Sequence, residues 1–258
     1  MDVFSQIQSL KEELGRLQTQ AEEFSTSSKE SLAKLQLSPD MCVLDVGCGT
    51  GDVSCMIASF LVPNGKVVGI DFNPFAVNYC SEAAKKRNIH NASFYVADAM
   101  NLDFDSQSYD ATYSRFVFQH IKDPRKVLRE LIRVTKPGGR LMIEDCDLFT
   151  WIVHPENDSV SALWHWYEGI QVQRGTDPQI GRKLYSMFLD EGLHPNVDIY
   201  SKCVYSTRAS FWRSIIAVLE KIDSEELKSL TKGIEEFATT PNSIFVFPLV
   251  FRVWSRIR

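Results

Sequence analysis

The stretch Val43-Leu44-Asp45-Val46-Gly47-Cys48-Gly49-Thr50-Gly51 constrains this chain more than any other. It reads as a short buried strand, a glycine turn and the start of a helix. Glycines at alternate positions let a backbone turn sharply and lie close against a ligand. A loop that grips a dinucleotide runs G-x-G-x-x-G. Here the spacing is G-x-G-x-G, and Asp52 stands where that pattern needs its third glycine. Asp45, at the strand's end, opposes a pyrophosphate and suits a ligand that carries positive charge and hydroxyls.

From residue 41 onwards apolar runs alternate with helical patterns, which implies a parallel sheet covered on both faces. Strands are expected at Cys42–Val46, Lys66–Asp71, Ser93–Ala97, Asp110–Ser114 and Arg140–Glu144, then at Asn196–Ser206 and Ile244–Arg256. Pro63-Asn64-Gly65 and Pro137-Gly138-Gly139 read as turns. Asn73-Pro74 and Asp123-Pro124 each offer a capping side chain and a proline at the first helical position. Further helices are expected near Val160–Gln173, at Gln179–Glu191, and over residues 208–220 and 223–238. Upstream, residues 2–24 form an amphipathic helix with Leu10, Leu14, Leu17, Ala21 and Phe24 on one face. The polar run Ser25–Ser31 is expected to break it before a short helix ending at Leu35. Residues 1–38 thus read as a helical cap and 39–258 as the main domain. Two inserts interrupt that domain, one at about 146–177 and a helical one at about 207–241. The cap's stripe fits packing over the domain, a lid, or a homodimer seam.

In an open parallel sheet, ligands sit outside the carboxyl ends of the strands. Asp45, Asp71, Asp98-Ala99 and Ser114-Arg115 fall at the ends of the first four strands. An acidic residue roughly 20 residues beyond a glycine loop is placed to hold a ribose diol, and Asp71 meets that requirement. Helix capping remains an alternative for Asp71, and turn formation for Asp98. It is the ordered set that carries the ligand reading. With Val43–Gly51, Val68-Gly69-Ile70-Asp71, Ala97-Asp98-Ala99, Tyr109-Asp110 and Lys136-Pro137-Gly138-Gly139, the chain resembles the class I S-adenosylmethionine (SAM) dependent methyltransferases. Within them it is similar to the small-molecule enzymes related to ubiquinone and menaquinone biosynthesis.

The resemblance implies an α/β, Rossmann-like fold: a seven-stranded, mostly parallel sheet with an antiparallel last strand and helices on both faces. It implies SAM as cofactor and S-adenosyl-L-homocysteine as product. Gly47, Cys48, Gly49 and Gly51 would approach the methionyl and ribose parts, Asp45 the ammonium, and Asp71 the ribose hydroxyls. Asp98 would accept from the adenine amino group beside Ala99. Ser114 and Arg115 would lie near the methionine moiety. Phe72 and Met100 are candidates to sandwich adenine, or core residues.

Methyl transfer from a sulfonium releases a neutral leaving group, so the protein's main task is to place the acceptor and exclude water. A base is needed only where the nucleophile must lose a proton. His120, just past the fourth strand, and Asp145, after the fifth, are the candidates, with Asp147 beside them. Ser114 stands where a catechol-type metal site takes a carboxylate, so no metal is expected. Seven aromatic residues, Phe149, Trp151, Trp164, Trp166, Tyr167, Phe211 and Trp212, lie in the two inserts and suggest an apolar or ring-bearing acceptor. Arg115, Arg174 and Arg182 are candidates to hold a carboxylate or phosphate on it.

A net charge of −5 argues against broad phosphate contact and so against a nucleic-acid substrate. No apolar run approaches membrane-spanning length, and the polar N-terminus carries no secretory signal. Six cysteines without a C-x-x-C pair fit a reduced, cytoplasmic protein. The expected activity is methylation of oxygen or nitrogen on a small organic acceptor. Methylation of a protein or nucleic acid is the alternative within the class. A SAM-binding regulator without turnover is the alternative outside it, and it would lack a cavity beside the sulfonium.

Overall fold

Strand β1 (Cys42–Val46) sends alternate side chains into two different apolar clusters. Val43 enters one, and Leu44 and Val46 the other. A strand buried on both faces must be covered by helices on both faces. In the computed structural model, which describes residues 11–205 and 209–258, β1 pairs in parallel with β2 (Lys66–Asp71) and β4 (Tyr109–Arg115). Beyond them lie β3 (Ala92–Val96) and β5 (Thr135–Asp147), also parallel. The sheet formed by the described residues has seven strands in the order β3-β2-β1-β4-β5-β10-β7. Strand β10 (Leu249–Arg256) runs antiparallel between β5 and β7 (Asn196–Tyr200). This is the expected Rossmann-like α/β sheet with one reversed strand, and the order turns back on itself between β1 and β4.

The described helices are α1 (Lys11–Glu23), α2 (Ser25–Leu35), α3 (Asp52–Met56), α4 (Pro74–Lys86), α5 (Pro124–Val134), α6 (Asp158–Gln173), α7 (Ile180–Asp190), α8 (Ala209–Lys221) and α9 (Glu225–Thr239). The side chains of Asn73 and Asp123 accept from the Phe75 and Lys126 amides and start α4 and α5, each with proline in the first turn. Helix α3 continues as one wide turn over Ile57–Leu61. The portion of the expected first helix at residues 2–10, including Leu10, lies outside the described residues, as does Ser206.

Four expectations are corrected. Ser25–Ser31 does not break the cap; it is helical, and the interruption is Phe24 alone. The serines are tolerated because Ser28 bonds back to the carbonyl of Phe24, and Ser31 shares its one hydroxyl proton between the Ser27 carbonyl and buried Glu144, each at 2.8 Å. The final strand is split: Ile244–Val246 forms β9, and β10 starts at Leu249. The Asn196–Ser206 strand is split as well, into β7 and β8 (Cys203–Tyr205). Strands β6 (Ile152–His154), β9 and β8 make a small antiparallel sheet that the sequence reading lacked. Lastly, Pro137-Gly138-Gly139 is a bulge within β5, where the register against β4 shifts, rather than a turn before it.

Candidate active site

A cavity of about 690 Å³ lies at the carboxyl tips of β1, β2 and β4, where the strand order reverses. One half is built by the glycine loop and the tips of the early strands. The other half is walled by α1, α6 and α8 together with Phe116, His120 and Phe247.

The loop is shaped by close approach. Gly47, at φ +73°, faces Val117 so tightly that a Cβ there would stand 2.1 Å from a valine methyl. The Gly47 and Cys48 amides donate to the Ile70 carbonyl at 2.8 and 2.9 Å and lash the loop to β2. Asp71 accepts from the Gly49 amide (3.0 Å) and the Asn73 amide (2.9 Å). A carboxylate has about four lone-pair sites, so Asp71 retains capacity for a diol. Asp98 accepts from the Met100 amide at 2.8 Å. Asp71, Phe72, Asp98, Ala99 and Met100 all line the cavity, as do Gly47, Cys48 and Gly49, and Phe72 is exposed. Gly51 does not line it; its left-handed backbone (φ +76°) begins α3 and packs on Cys80.

Asp45 is buried at the β1 tip and accepts from Ser54 Oγ at 2.5 Å. Burial raises its pKa to about 6, against the Ser54 hydrogen bond and the nearby Arg115. Arg115 donates to Ser28 Oγ in α2, also lines the cavity, and feels Asp45 in turn. Asp45 and Arg115 thus offer one anion and one cation within the same site, a match for a zwitterionic amino acid. Ser114, expected beside the ligand, is instead fully buried outside the lining, where its hydroxyl donates to the Val46 carbonyl at 3.1 Å.

Of the candidate bases, only His120 lines the cavity. Its Nδ1 lies 3.1 Å from Nε2 of Gln171, whose Oε1 accepts from Thr176 Oγ1 at 2.7 Å. Burial lowers the His120 pKa to about 4, helped by Arg16 and Arg174 and opposed by the Gln171 bond. The imidazole is therefore neutral at pH 7. Asp145, expected to face the acceptor, is fully buried away from the lining. It accepts from the Cys146 amide (2.8 Å) and the Gln119 amide (3.2 Å), which fixes the Phe118–His120 turn. Burial raises its pKa to about 7 despite those amides. Asp147 is also buried; it caps Phe149 and pairs with Arg182, which removes Arg182 from the cavity.

Sequence reasoning missed Glu13, Arg16, Phe116 and Gln171. Arg16 adjoins the legible Leu17–Ala21 stripe of α1, and both stripe residues line the cavity. Phe116 holds a left-handed backbone (φ +58°), rare for a bulky residue. Its ring packs edge-on against Phe24 at 5.2 Å. Among the expected aromatics, Trp164, Trp166 and Tyr167 line the chamber. Phe211 and Trp212 instead pack in the core around Phe245. Among the described residues, no group of three or more His, Cys, Asp or Glu is placed to hold a metal ion. No helix there is long and apolar enough to cross a membrane.

A family model for the methyltransferase domain matches residues 37–191. An uncharacterized methyltransferase of Schizosaccharomyces pombe is 29% identical over 211 residues, 75% of each chain. Demethylmenaquinone methyltransferase of Listeria welshimeri is 37% identical over 117 residues, 45% of this chain and 50% of that one. This chain therefore spans about half of that enzyme's length. The fold is similar to geranyl diphosphate C-methyltransferase from Streptomyces coelicolor, solved with Mg²⁺, geranyl diphosphate and S-adenosyl-L-homocysteine. There the TM-score is 0.58 at 16% identity, over 90% of this chain and 79% of that one.

Proposed function

This chain belongs to the methyltransferase-domain family, and from that premise we propose that it methylates oxygen or nitrogen on a small organic acceptor in the cytoplasm. It is an enzyme of the SAM-dependent class. The observation that carries the acceptor reading is the continuity of one cavity from the charged strand tips to an aromatic chamber. When bound, SAM supplies an electrophilic methyl group on a sulfonium that departs as a neutral thioether.

The residues present fit that cofactor. Asp45 and Arg115 take the ammonium and carboxylate ends of its amino acid. Asp71 holds the ribose diol with its remaining lone pairs, and Asp98 with Ala99 meets the adenine, which Phe72 covers. The loop at Gly47–Thr50 lets the backbone lie against the ligand. Cap helix α1 and the aromatic insert form a lid that excludes water. His120 stands in the chamber as the candidate to take a proton from the acceptor; Gln171 Nε2 donates to its Nδ1, so the neutral ring carries its own proton on Nε2 and Nδ1 must leave Gln171 before it can act as a base. Asp145 acts through the turn that carries His120, as a positioning residue. Holding acceptor and donor in line is worth roughly 7–11 kcal/mol in favourable cases, which is more than a base contributes.

The relative matched over half its length is named a demethylmenaquinone methyltransferase, which supports an acceptor other than a protein or nucleic acid. Free cysteines at all six positions suit a reducing compartment. The test is transfer of labelled methyl from SAM into cell extract separated by size. Label in the small-molecule fraction is expected, and label confined to protein or nucleic acid would overturn the reading.

A further inference from the structure

Arg115 is the last residue of β4 and lines the cavity. An arginine side chain is long and flexible, and its guanidinium has five N–H donors to place. One of them is fixed from the cap. Nη1 donates to the hydroxyl of Ser28, a buried residue in the first turn of α2. The proton of Ser28 goes to the Phe24 carbonyl at 2.8 Å, so its oxygen meets Arg115 as an acceptor only. The next residue repeats the link. Phe116 turns into the left-handed region at φ +58° and lays its ring against Phe24 at 5.2 Å. Such a backbone is costly for a bulky residue and persists only where the surroundings hold it. Two consecutive residues at the tip of β4 are thus tied to one place, the junction of α1 and α2.

The obvious rival for Arg115 is Glu144, its register partner on β5. That carboxylate is occupied by Tyr113 Oη at 2.6 Å, Ser31 Oγ and Tyr200 Oη at 2.8 Å, and Arg252 Nε at 3.3 Å. Four donors match the about four lone-pair sites of a carboxylate. Glu144 therefore holds α2 through Ser31 without capturing Arg115.

Resting on the assignment of Arg115 to the cofactor's carboxylate, we infer that Ser28 is a positioning residue for the cofactor: through its hydroxyl, cap helix α2 holds the Arg115 guanidinium ready for that carboxylate. A guanidinium ordered before the ligand arrives loses less freedom on meeting it. Without the hydroxyl, Arg115 is left to the pull of Glu144 and Asp45, both of which act on it. By linkage, a ligand carboxylate that draws on Arg115 steadies α2 in return.

The test uses the full chain and two probes, S-adenosyl-L-homocysteine and decarboxylated S-adenosyl-L-homocysteine, which keeps the nucleoside and the ammonium. Calorimetry is expected to show the first bound about tenfold tighter. Ser28→Ala narrows that gap to about threefold or less by weakening the first probe alone. The decarboxylated probe stays within about twofold, which shows that the variant is folded. Arg115→Gln closes the gap, and adding Ser28→Ala to it changes nothing further, a non-additivity that lost packing does not produce. Hydrogen exchange of the unsubstituted chain needs no variant. At saturation, residues 25–35 are slowed more by S-adenosyl-L-homocysteine than by the decarboxylated probe. A gap unchanged by Ser28→Ala, equal weakening of both probes, additive losses in the double variant, or equal slowing of α2 by the two probes each overturns the inference. A gap that survives Arg115→Gln overturns the assignment of Arg115 instead, and a chain that binds neither probe overturns the cofactor site itself.

Discussion

Asp45 is a carboxylate kept half-protonated near pH 6 by burial, and its proposed ligand is an ammonium that needs it ionised. Affinity for S-adenosyl-L-homocysteine should therefore fall about tenfold per pH unit below about 6 and level off above it. Asp45→Asn should bind weakly at every pH and flatten the profile; calorimetry between pH 5 and 8 checks both. Gly47 faces a different constraint. Alanine there would sit in a left-handed backbone and press on Val117, at a cost of roughly 1–2 kcal/mol for the backbone alone. Gly47→Ala should weaken the same ligand more than tenfold while the chain stays folded by circular dichroism. Both residues were legible in the sequence, since a strand-end acid and a glycine turn announce themselves locally. Arg16 was not, because nothing in a polar helix upstream of the motif says which of its charged side chains will face inward. Ser114 and Asp145 were misjudged for a related reason. Being at the tip of the right strand does not fix which way a side chain points, and these two point into the protein.

At the scale of elements, the cap is held by one aromatic residue at its break. Phe24 is buried against Phe116 and Phe247, at ring distances of 5.2 and 5.0 Å, and closes the gap between α1 and α2. Phe24→Ala should cost about 3–5 kcal/mol in urea unfolding. It should also loosen α1, which hydrogen exchange would report as faster exchange over residues 11–23 than over α4. Serine ranks low as a helix former, so the run after Phe24 looks like a break in the sequence alone. Contacts made across the fold, above all Ser31 to Glu144, overrode that local preference. The small sheet of β6, β8 and β9 escaped for the opposite reason: each strand is three residues long, too short for any periodic signal. The early strands were readable because burial on both faces writes a continuous apolar run.

For the molecule as a whole, the buried acids set a pH dependence of stability. Asp145 has a folded pKa of about 7, well above its ordinary value, so its contribution is fully present in acid and is lost as pH rises through about 7. His120, with its pKa lowered to about 4, acts the other way, and its contribution is lost as pH falls from about 6.5. Between pH 6.5 and 8 the Asp145 effect dominates. The urea midpoint of the free protein should decline over that range, and Asp145→Asn should reduce the decline. The acceptor chamber has a further consequence. It is closed by α1 packed on α8, which lie on either side of the parallel strands in the sequence. A ribosome would therefore have delivered the whole glycine loop and most of the parallel strands long before the final wall emerged. A nascent chain can acquire its cofactor-gripping half early, yet the chamber is walled only after α8 has followed the parallel strands and docked against α1.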